Sequence, residues 1–290
     1  MMKTIAITGG KGGVGKSTMA ILLANKLLSQ GKKIVLADLD VECPNDYLLL
    51  KNSSENELKK PVEKVFAQFP YLDKTKCKKC GLCVQKCRFH AIFAPPNRTR
   101  SGSGQSPGQY PIFLPELCSG CRLCANICPY QAITMKKKVT GKIYQEKIAV
   151  DFYLVTGKSK AVLEETGPVV TKTRQYAETL GKKMKADYLL LDTAAGMHCS
   201  VIRGLLAVDL VYAVTEPTPL GAHDLELILQ LIHKLKLPVK IILNQADLGK
   251  KELVEKIAKE KRVEIKYRIP YSRKLVEAYS KGKLQEIDIL

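Results

Sequence analysis

Long apolar runs are missing from this sequence. No uninterrupted apolar stretch approaches the about 20 residues that a membrane-spanning helix needs. The most apolar segments, residues 21–28 and 205–214, are interrupted by Asn25, Lys26 and Asp209. The first residues, MMKTIAITGGKGG, bring lysines and glycines before an apolar region of signal-peptide length can form. We therefore expect a soluble, cytoplasmic protein with no stable membrane insertion.

Acidic residues are also scarce, because 28 Asp and Glu stand against 47 Lys and Arg and leave a formal net charge of +19. One interpretation is a lysine-rich solvated surface. The other is an acidic partner, which would be an acidic protein, a nucleic acid or an anionic membrane face. The lysines lie along the whole chain, so composition leaves both interpretations open.

The beginning of the chain has the pattern of an α/β unit. Residues 4–8 (TIAIT) predict a short buried strand, which a glycine-rich turn and an amphipathic helix over about 17–29 follow. Gly31 is placed to end that helix. Residues 34–37 (IVLA) predict a second strand that leads into Asp38 and Asp40. Strand, helix and strand in this order favour a parallel sheet.

The α/β pattern resumes after residue 148. Apolar runs at 188–191, 210–214 and 239–243 predict buried parallel strands, and helices are expected at about 171–183, 222–234, 250–261 and 273–281. We therefore predict an α/β domain with a mostly parallel sheet flanked by helices, formed by residues 1–58 and 148–290. Residues 59–147 form a small α+β insertion, whose Ser/Gly-rich stretch 100–108 is predicted to be a mobile loop.

Residues 10–17 read GKGGVGKS and match the phosphate-loop pattern G-x-x-x-x-G-K-[ST] at each fixed position. Glycines let backbone N–H groups converge on phosphate oxygens, and the following helix adds a positive field. Lys16 is expected to reach the β- and γ-phosphates, and the Ser17 hydroxyl to ligate Mg²⁺. The alternative is a glycine turn without nucleotide, against which the flanking strand and helix argue.

A second lysine, Lys11, gives the loop a resemblance to the deviant P-loop of the MinD/ParA/Mrp and nitrogenase-iron-protein superfamily. The resemblance implies a Mg²⁺-dependent ATPase that forms a homodimer around ATP/ADP, with Lys11 reaching the ATP of the partner subunit. It implies Asn244 at the adenine and Pro270 after a later strand. The nucleotide-binding residues that it implies are Gly10, Lys11, Gly12, Gly13, Val14, Gly15, Lys16, Ser17, Thr18, Asn244 and Pro270.

Three acidic residues after strands match the switches of the same superfamily. By resemblance, Asp38 supports Mg²⁺ through water and Asp40 orients or activates the attacking water. Asp192 begins a second switch, DTAAG, and joins Ser17 and Asp38 at the Mg²⁺ site. The catalytic residues implied are thus Lys11, Lys16 and Asp40. A helix cap is the alternative role for any single Asp after a strand.

The insertion contains an internal cysteine repeat. Residues 77–92 and 118–133 share the spacing C-x₂-C-x₂-C-x₃-C and a closing Ala-Ile, which suggests a pseudo-two-fold module. The spacing resembles that of bacterial two-cluster ferredoxins, in which the fourth cysteine of each motif ligates the other cluster. The resemblance implies two 4Fe–4S clusters, one held by Cys77, Cys80, Cys83 and Cys128 and the other by Cys118, Cys121, Cys124 and Cys87. Zinc is the alternative metal.

The insertion is basic, unlike most ferredoxins, and departs from their pattern at Arg88, where a proline is usual. A basic face favours an acidic redox or metallocluster partner. The alternative is compensation for the negative charge of the clusters. The basic residues are Lys74, Lys76, Lys78, Lys79, Lys86, Arg88, Arg98 and Arg100.

Two cysteines lie outside the repeat. Cys43 and Cys199 follow the two switches, and we expect them to be small buried residues. The alternative is a third metal site at a dimer interface, as in the nitrogenase iron protein. His198 is expected to be structural.

Three functions are compatible with these features. The first is an ATP-gated factor for electron transfer or metallocluster maturation. The second is a positioning or partitioning ATPase of MinD/ParA type with structural or sensory clusters, although the closing LQEIDIL lacks a basic membrane-anchoring helix. The third is an Fe–S carrier like Mrp, against which eight committed cluster ligands argue.

Overall fold

The computed structural model describes residues 1–50, 58, 60–95, 109–161, 165–287 and 289. The predicted loop 100–108, Arg98 and Arg100 of the predicted basic face, and residue 59 at the predicted domain boundary lie outside these ranges. Within them, no helix is long and apolar enough to cross a membrane.

Eleven strands and nine helices are assigned in the described ranges. The strands are β1 (Lys3–Thr8), β2 (Ile34–Asp38), β3 (Glu63–Leu72), β4 (Ile92–Phe93), β5 (Ile112–Phe113), β6 (Ile133–Ala149), β7 (Phe152–Ser159), β8 (Tyr188–Asp192), β9 (Leu210–Thr215), β10 (Val239–Asn244) and β11 (Ile265–Ile269). The helices are α1 (Lys16–Ser29), α2 (Asp46–Leu49), α3 (Leu82–Lys86), α4 (Leu123–Asn126), α5 (Gly167–Met184), α6 (Cys199–Leu205), α7 (Pro219–Lys234), α8 (Lys251–Glu260) and α9 (Arg273–Ser280).

The chain divides into two units. The first comprises residues 1–63, 142–158 and 169–290, and the second comprises residues 64–141 and 159–168. The sequence predicts boundaries at 58/59 and 147/148. The division in the structure assigns residues 60–63 and 142–147 to the first unit and adds 159–168 to the second.

The first unit is built on a parallel sheet. Seven of its strands follow the order β11-β10-β9-β1-β8-β2-β7, and every adjacent pair among them is parallel. Strand β2 is buried along its whole length, as a strand covered on both faces of a parallel sheet should be. The prediction of an α/β fold with a mostly parallel sheet flanked by helices is confirmed.

Parallel strands bring their carboxyl ends to one edge of the sheet. Thr8 ends β1, Asp38 ends β2 and Asp192 ends β8, and all three side chains are buried. Asp38 and Asp192 are register partners, and Asp192 also pairs with Ile7. The glycine-rich loop leaves β1 at this edge, so the fold collects the predicted polar residues around it.

Helix α1 follows that loop and is held deep in the first unit. Its side chains from Thr18 to Ala24 are all buried. The Asn25 side chain donates from Nδ2 to the carbonyls of Leu284 at 2.8 Å and Ile287 at 3.1 Å. The closing segment of the chain therefore packs on α1 and fixes the position of the helix.

The second unit contains two copies of one backbone pattern. Positive φ angles occur at equivalent positions of the two copies, at residues 79, 81 and 90 in the first and at 120, 122 and 131 in the second. The same turns therefore occur in both copies. Each copy contains a short helix, α3 or α4, after the second cysteine. Strands β4 and β5 form an antiparallel pair, and β3 neighbours β6. The internal repeat seen in the sequence thus has a structural counterpart.

Candidate functional site

The loop between β1 and α1 is shaped by its glycines. Gly13 and Gly15 have φ angles of +82° and +93°, a region that side chains with a Cβ rarely adopt. A Cβ on Gly15 would also lie 2.6 Å from Nδ2 of Asn244. That nitrogen donates to the carbonyl of Val14 at 3.0 Å. The last residue of β10 therefore holds the loop, and it does so only because residue 15 has no side chain.

The amino end of α1 is suited to an anion. No side chain caps this end, and its first turn contains no acidic residue, so its free N–H groups and positive dipole are available to a ligand. The Lys16 side chain is buried and donates from Nζ to the carbonyl of Lys11 at 3.2 Å. Burial lowers the pKa of Lys16, an effect that the charges of Asp192 and Asp40 oppose. A phosphate in this position would add a further countercharge to the buried ammonium.

Three buried carboxylates lie beside the loop. One oxygen from each of Asp38, Asp46 and Asp192 falls within 4.8 Å of the others. The Ser17 hydroxyl donates to Oδ2 of Asp192 at 2.6 Å. The structure thus brings together the predicted Mg²⁺ ligands Ser17, Asp38 and Asp192, and it adds Asp46, which the sequence did not single out. An all-oxygen donor set of carboxylates and a hydroxyl suits Mg²⁺.

Burial dominates the electrostatics of these carboxyl groups. It raises the pKa of Asp192 to about 7, against the hydrogen bond from Ser17 and the charge of Lys16. Burial also raises the pKa of Asp38 and of Asp46 well above the ordinary range, and in both cases the charge of Asp192 adds to the shift. A bound divalent cation would stabilise the charged forms.

A cavity of about 300 Å³ opens next to the loop. Its phosphate-loop side is polar, and its far side is formed by the end of β10, the segment after β11 and helix α9. The residues that line it are Gly12, Gly13, Gly15, Lys16, Ser17, Thr18, Asp40, Asn45, Ala195, Asn244, Gln245, Pro270, Tyr271, Ser272, Leu275, Val276 and Tyr279. This arrangement can place an anionic group at the loop and a flat, partly apolar group between β10 and α9.

Three of the predicted nucleotide-binding residues do not line the cavity. Gly10 packs against Asp224, since a Cβ on Gly10 would lie 2.6 Å from the Asp224 Cβ. Val14 is buried and contributes its carbonyl to Asn244. Lys11 is engaged by Glu216, with Nζ donating to Oε1 at 2.7 Å. The Lys11 side chain therefore points to the segment after β9 in this structure.

Asp40, for which the resemblance implies a role in orienting water, lines the cavity. Its backbone N–H donates to Oδ1 of Asp38 at 3.1 Å. Burial raises the pKa of Asp40, while the Cys43 N–H and the charge of Lys16 act in the opposite direction. A carboxylate with this environment at a cavity wall can accept a proton or a water hydrogen bond.

The eight repeat cysteines divide between two cavities of the second unit. One cavity is lined by Cys77, Cys80, Cys83 and Cys128, together with apolar residues that include Leu72 and Ile133. The other is lined by Cys87, Cys118, Cys121 and Cys124, together with Phe89 and Ile92. Each cavity contains three cysteines of one motif and the fourth cysteine of the other.

Six of the eight cavity cysteines are partly buried, whereas Cys80 and Cys121 are exposed. Burial, followed by neighbouring cysteines, raises the pKa of Cys83 to about 11 and that of Cys124 to about 11. Backbone N–H groups donate to sulfur at Cys77 and Cys118, both at 3.4 Å. Thiols with raised pKa values are not free nucleophiles, but a soft metal would deprotonate them.

The prediction that Cys43 and Cys199 are buried is wrong, because both are exposed. Cys43 lies three residues after Asp40, and Cys199 is the first residue of α6, so both lie on the surface of the first unit. His198 lies next to Ser200, with Nδ1 and Oγ 2.5 Å apart, and precedes the first residue of α6.

Sequence reasoning missed Asp46, Glu216 and the aromatic residues Tyr271 and Tyr279 at the cavity. Glu216 follows the last residue of β9, and its contact with Lys11 spans 205 positions of the chain, so no local pattern reveals it. Tyr279 lies on α9. Apolar and aromatic residues at helical spacing ordinarily indicate the buried face of a helix, so the sequence pattern does not mark Tyr279 as a cavity residue. Nothing in the sequence marks Asp46.

Comparisons with known proteins agree with this geometry. The CobQ/CobB/MinD/ParA nucleotide binding domain matches residues 5–285. Uncharacterized protein MJ0579 of Methanocaldococcus jannaschii is 34% identical over 283 residues, which cover 97% of this chain and 91% of that protein. The septum site-determining protein MinD of Escherichia coli K12 is 42% identical over 50 residues, 17% of this chain and 18% of that protein.

Solved structures with the same fold include two MinD proteins. The cell division ATPase MinD of Pyrococcus furiosus has a TM-score of 0.56 at 15% identity, covering 98% of this chain and 90% of that chain. MinD of Pyrococcus horikoshii, complexed with Mg-ADP, has a TM-score of 0.55 at 16% identity, covering 97% and 86%. At these identities the likeness concerns the fold alone.

Proposed function

Because the chain belongs to the CobQ/CobB/MinD/ParA nucleotide-binding domain family, we propose that it is a Mg²⁺-dependent ATPase that works as a homodimeric switch. ATP binding would close two copies around the nucleotide, and hydrolysis would separate them. Such a cycle controls when the protein associates with a partner, as in positioning and partitioning ATPases. A switch that consumes ATP fits a cytoplasmic location.

The observation that carries this proposal is the phosphate loop with its helix, lysine and carboxylates around one cavity. The α1 N–H groups and Lys16 would bind the β- and γ-phosphates. Ser17, Asp38 and Asp192 would hold Mg²⁺, which neutralises phosphate charge when it is bound. Asp40, at the cavity wall, would orient the attacking water.

The far side of the cavity supports a purine base. Asn244 and Pro270 line it together with Tyr271 and Tyr279. The Asn244 nitrogen is committed to the Val14 carbonyl, so its oxygen remains to accept from an amino group on the base. The proposed role of Lys11 is to reach the partner subunit's nucleotide, for which it must leave Glu216.

Phosphate release and nucleotide binding by the full chain test this function. Lys16→Ala should abolish nucleotide binding, because the backbone alone cannot neutralise the phosphates. Asp40→Ala should bind ATP but lose turnover and accumulate as a dimer. Lys182→Ala, at an exposed position on α5, is the control and should behave as the unmodified protein. Normal turnover by Asp40→Ala, or normal binding by Lys16→Ala, would contradict the assignment.

A second function is favoured by the two cysteine cavities. We propose that the second unit holds two 4Fe–4S clusters, each on the four thiols of one cavity, and that the ATP cycle serves electron transfer or metallocluster maturation on an acidic partner. The support is a donor set of four soft thiolate ligands per cavity within an apolar wall. Three of each four come from one motif, as the spacing of two-cluster ferredoxins requires.

Metal and sulfide analysis of anaerobically purified protein tests the second proposal. Two clusters imply about eight iron and eight sulfide per chain. Cys83→Ser should lose about half of both, whereas Cys199→Ser, at an exposed cysteine outside the cavities, should lose none. Zinc at stoichiometric amount without sulfide would overturn the proposal.

A further inference from the structure

Asp46 has a buried carboxyl group whose oxygens lack hydrogen-bond donors in the described part of the chain. It is the first residue of α2 and is fully buried. Neither of its carboxylate oxygens has a hydrogen-bond partner among the residues that the structure describes, and the same is true of Oδ1 of Asp192. A buried charged group without a partner is strongly unfavourable. These oxygens are therefore neutralised either by a proton, which Asp46 and Asp192 can share, or by a ligand with positive charge.

The neighbouring carboxylate is already satisfied. Asp38 accepts from the N–H of Asn45 at 2.9 Å and from the N–H of Asp46 at 3.2 Å, both at Oδ2. Its other oxygen accepts from the N–H of Asp40. These bonds tie the beginning of α2 to the end of β2. They fix Asp46 in the cluster without contributing any donor to its side chain.

The cations and hydroxyls nearby are committed elsewhere. Ser17 donates to Oδ2 of Asp192, which leaves Oδ1 of that residue unmatched. The Lys16 ammonium donates to the Lys11 carbonyl. Among the described residues, no basic side chain, hydroxyl or N–H donates to Asp46, and its one polar contact is the carboxyl group of Asp192, with which it can share a proton.

The dimensions of the cluster match a single divalent cation. Oxygens on opposite sides of Mg²⁺ are about 4.2 Å apart, and those across Ca²⁺ are about 4.8 Å apart. The oxygens of Asp38, Asp46 and Asp192 all fit within 4.8 Å of one another. Nucleotide sites that receive Mg²⁺ together with phosphates typically use about one or two carboxylates. A third carboxylate supplies enough negative charge for the protein to bind the cation alone.

We propose that Asp38, Asp46 and Asp192 bind a divalent cation in the absence of nucleotide, with Asp46 as a direct ligand. Hard oxygen ligands of this kind suit Mg²⁺ and Mn²⁺. The inference deepens the proposed function, on which it rests for the use of the cation in ATP hydrolysis. Cation binding itself is measurable whether or not the chain hydrolyses ATP.

The test uses the full chain, stripped of nucleotide, with Mn²⁺ as the probe in equilibrium dialysis and metal analysis of the retentate. The unmodified protein should bind one Mn²⁺ that Mg²⁺ displaces, and Asp46→Asn should weaken that binding by at least about tenfold. Asp187→Asn is the matched control. Asp187 precedes β8 at the end opposite Asp192, where it accepts from the Lys33 N–H, so its loss should leave Mn²⁺ affinity unchanged.

Melting temperatures separate the loss of a ligand from the loss of the fold. Without cation, Asp46→Asn should melt at or above the temperature of the unmodified protein, because the substitution removes an unmatched buried charge. Added Mn²⁺ should raise the melting temperature of the unmodified protein but not that of Asp46→Asn. Absence of Mn²⁺ uptake at millimolar concentration, or equal uptake by Asp46→Asn, would overturn the inference. If the unmodified chain nevertheless hydrolyses ATP, only this inference fails; if it binds Mn²⁺ and hydrolyses no ATP, only the proposed function fails.

Discussion

Glu216 holds Lys11 in the ligand-free chain, and its removal should promote dimerisation. Lys11 Nζ and Glu216 Oε1 are 2.7 Å apart, and the two side chains are 27% and 19% exposed. Glu216 is itself held by the Thr218 hydroxyl, which donates to the same oxygen at 3.1 Å. If Lys11 contacts the nucleotide of the partner subunit, each protomer must first break this ion pair. Glu216→Gln should therefore tighten the ATP-bound dimer.

The size of the effect follows from the exposure of the pair. A partly exposed ion pair contributes up to about 1 kcal/mol. Each of the two protomers breaks one such ion pair on dimerisation. Glu216→Gln should therefore make the free energy of dimerisation more favourable by at most about 2 kcal/mol, which is about 30-fold in the dimer dissociation constant. Glutamine can still accept a hydrogen bond from Lys11, so part of the interaction remains. We therefore expect the dimer dissociation constant to fall by at least about fivefold.

Sedimentation velocity with a slowly hydrolysed ATP analogue measures the dimer constant directly. Glu264→Gln is the control, since it breaks the Lys240–Glu264 pair, 2.6 Å long, at the amino end of β11. That control should leave dimerisation unchanged. A Glu216→Gln protein that dimerises as weakly as the unmodified chain, or more weakly, would refute the reasoning and would mean that Glu216 positions Lys11 productively.

Three further predictions concern the two sites. Burial raises the pKa of Asp192 from 3.8 to about 7, so the folded, Mg²⁺-free protein holds this proton more tightly than the unfolded chain. Its stability should fall as pH rises from about 4 to about 7, by up to about 4 kcal/mol, and Asp192→Asn should flatten this slope in urea unfolding; an unchanged slope would contradict the assignment. Gly15→Ala should displace the Asn244 amide and lower ADP affinity in calorimetry by more than the same substitution at Gly12, where a Cβ meets no atom within 4 Å. If the second unit holds the proposed clusters, removal of iron by a chelator under air should lower its hydrogen-exchange protection, because the thiols lose their metal; unchanged protection there would count against bound clusters.

Much of the first unit was predictable because its strands are short apolar runs that end in polar residues. The predicted runs at 188–191, 210–214 and 239–243 each extend by one residue in the structure, to Asp192, Thr215 and Asn244. Helix α1 begins one residue earlier than predicted, and two other helices begin three or four residues earlier. Helix α7 begins at Pro219 and not at 222, and α5 begins at Gly167 and not at 171. Pro168 and Pro219 lie outside the predicted helix bounds, although the first helical turn accepts proline without losing a hydrogen bond.

Strand β7 was missed because its second half, TGKS, resembles a turn. Gly157 lies within the strand, and a Cβ at that position would collide with the Thr173 side chain of α5. The glycine is therefore a packing requirement of helix on sheet, which no local pattern reveals. Because β7 lies beside β2 in the sheet, Thr156 is in register with Asp38.

The candidate site was predictable where it is contiguous and hidden where it is assembled from distant segments. The phosphate loop is a single stretch, so its motif could be read directly. Asp46 becomes part of the site only because Asp38 binds the beginning of α2 and β8 delivers Asp192 beside it. The engagement of Lys11 by Glu216 spans 205 positions of the chain. Exposure of Cys199 likewise depends on where α6 begins on the folded surface.

The unfavourable charges of the ligand-free site favour a functional role for these residues over a structural one. Burial works against the charged form of Lys16 and of Asp192 and Asp46 at once, and within the described part of the chain Asp46 has no donor to compensate it. Burial raises the pKa of Asp38 as well, but three backbone N–H groups donate to this carboxyl group and hold it in place. Phosphate and a divalent cation would supply the missing charges of both signs. Ligand at about a thousand times its dissociation constant adds about 4 kcal/mol to the free energy of unfolding. That amount is comparable to the stability that ionisation of buried Asp192 removes at neutral pH. Substitutions that neutralise the site should therefore stabilise the ligand-free protein and abolish its activity. Substitutions of structural groups such as Asn25 should lower the stability of the protein.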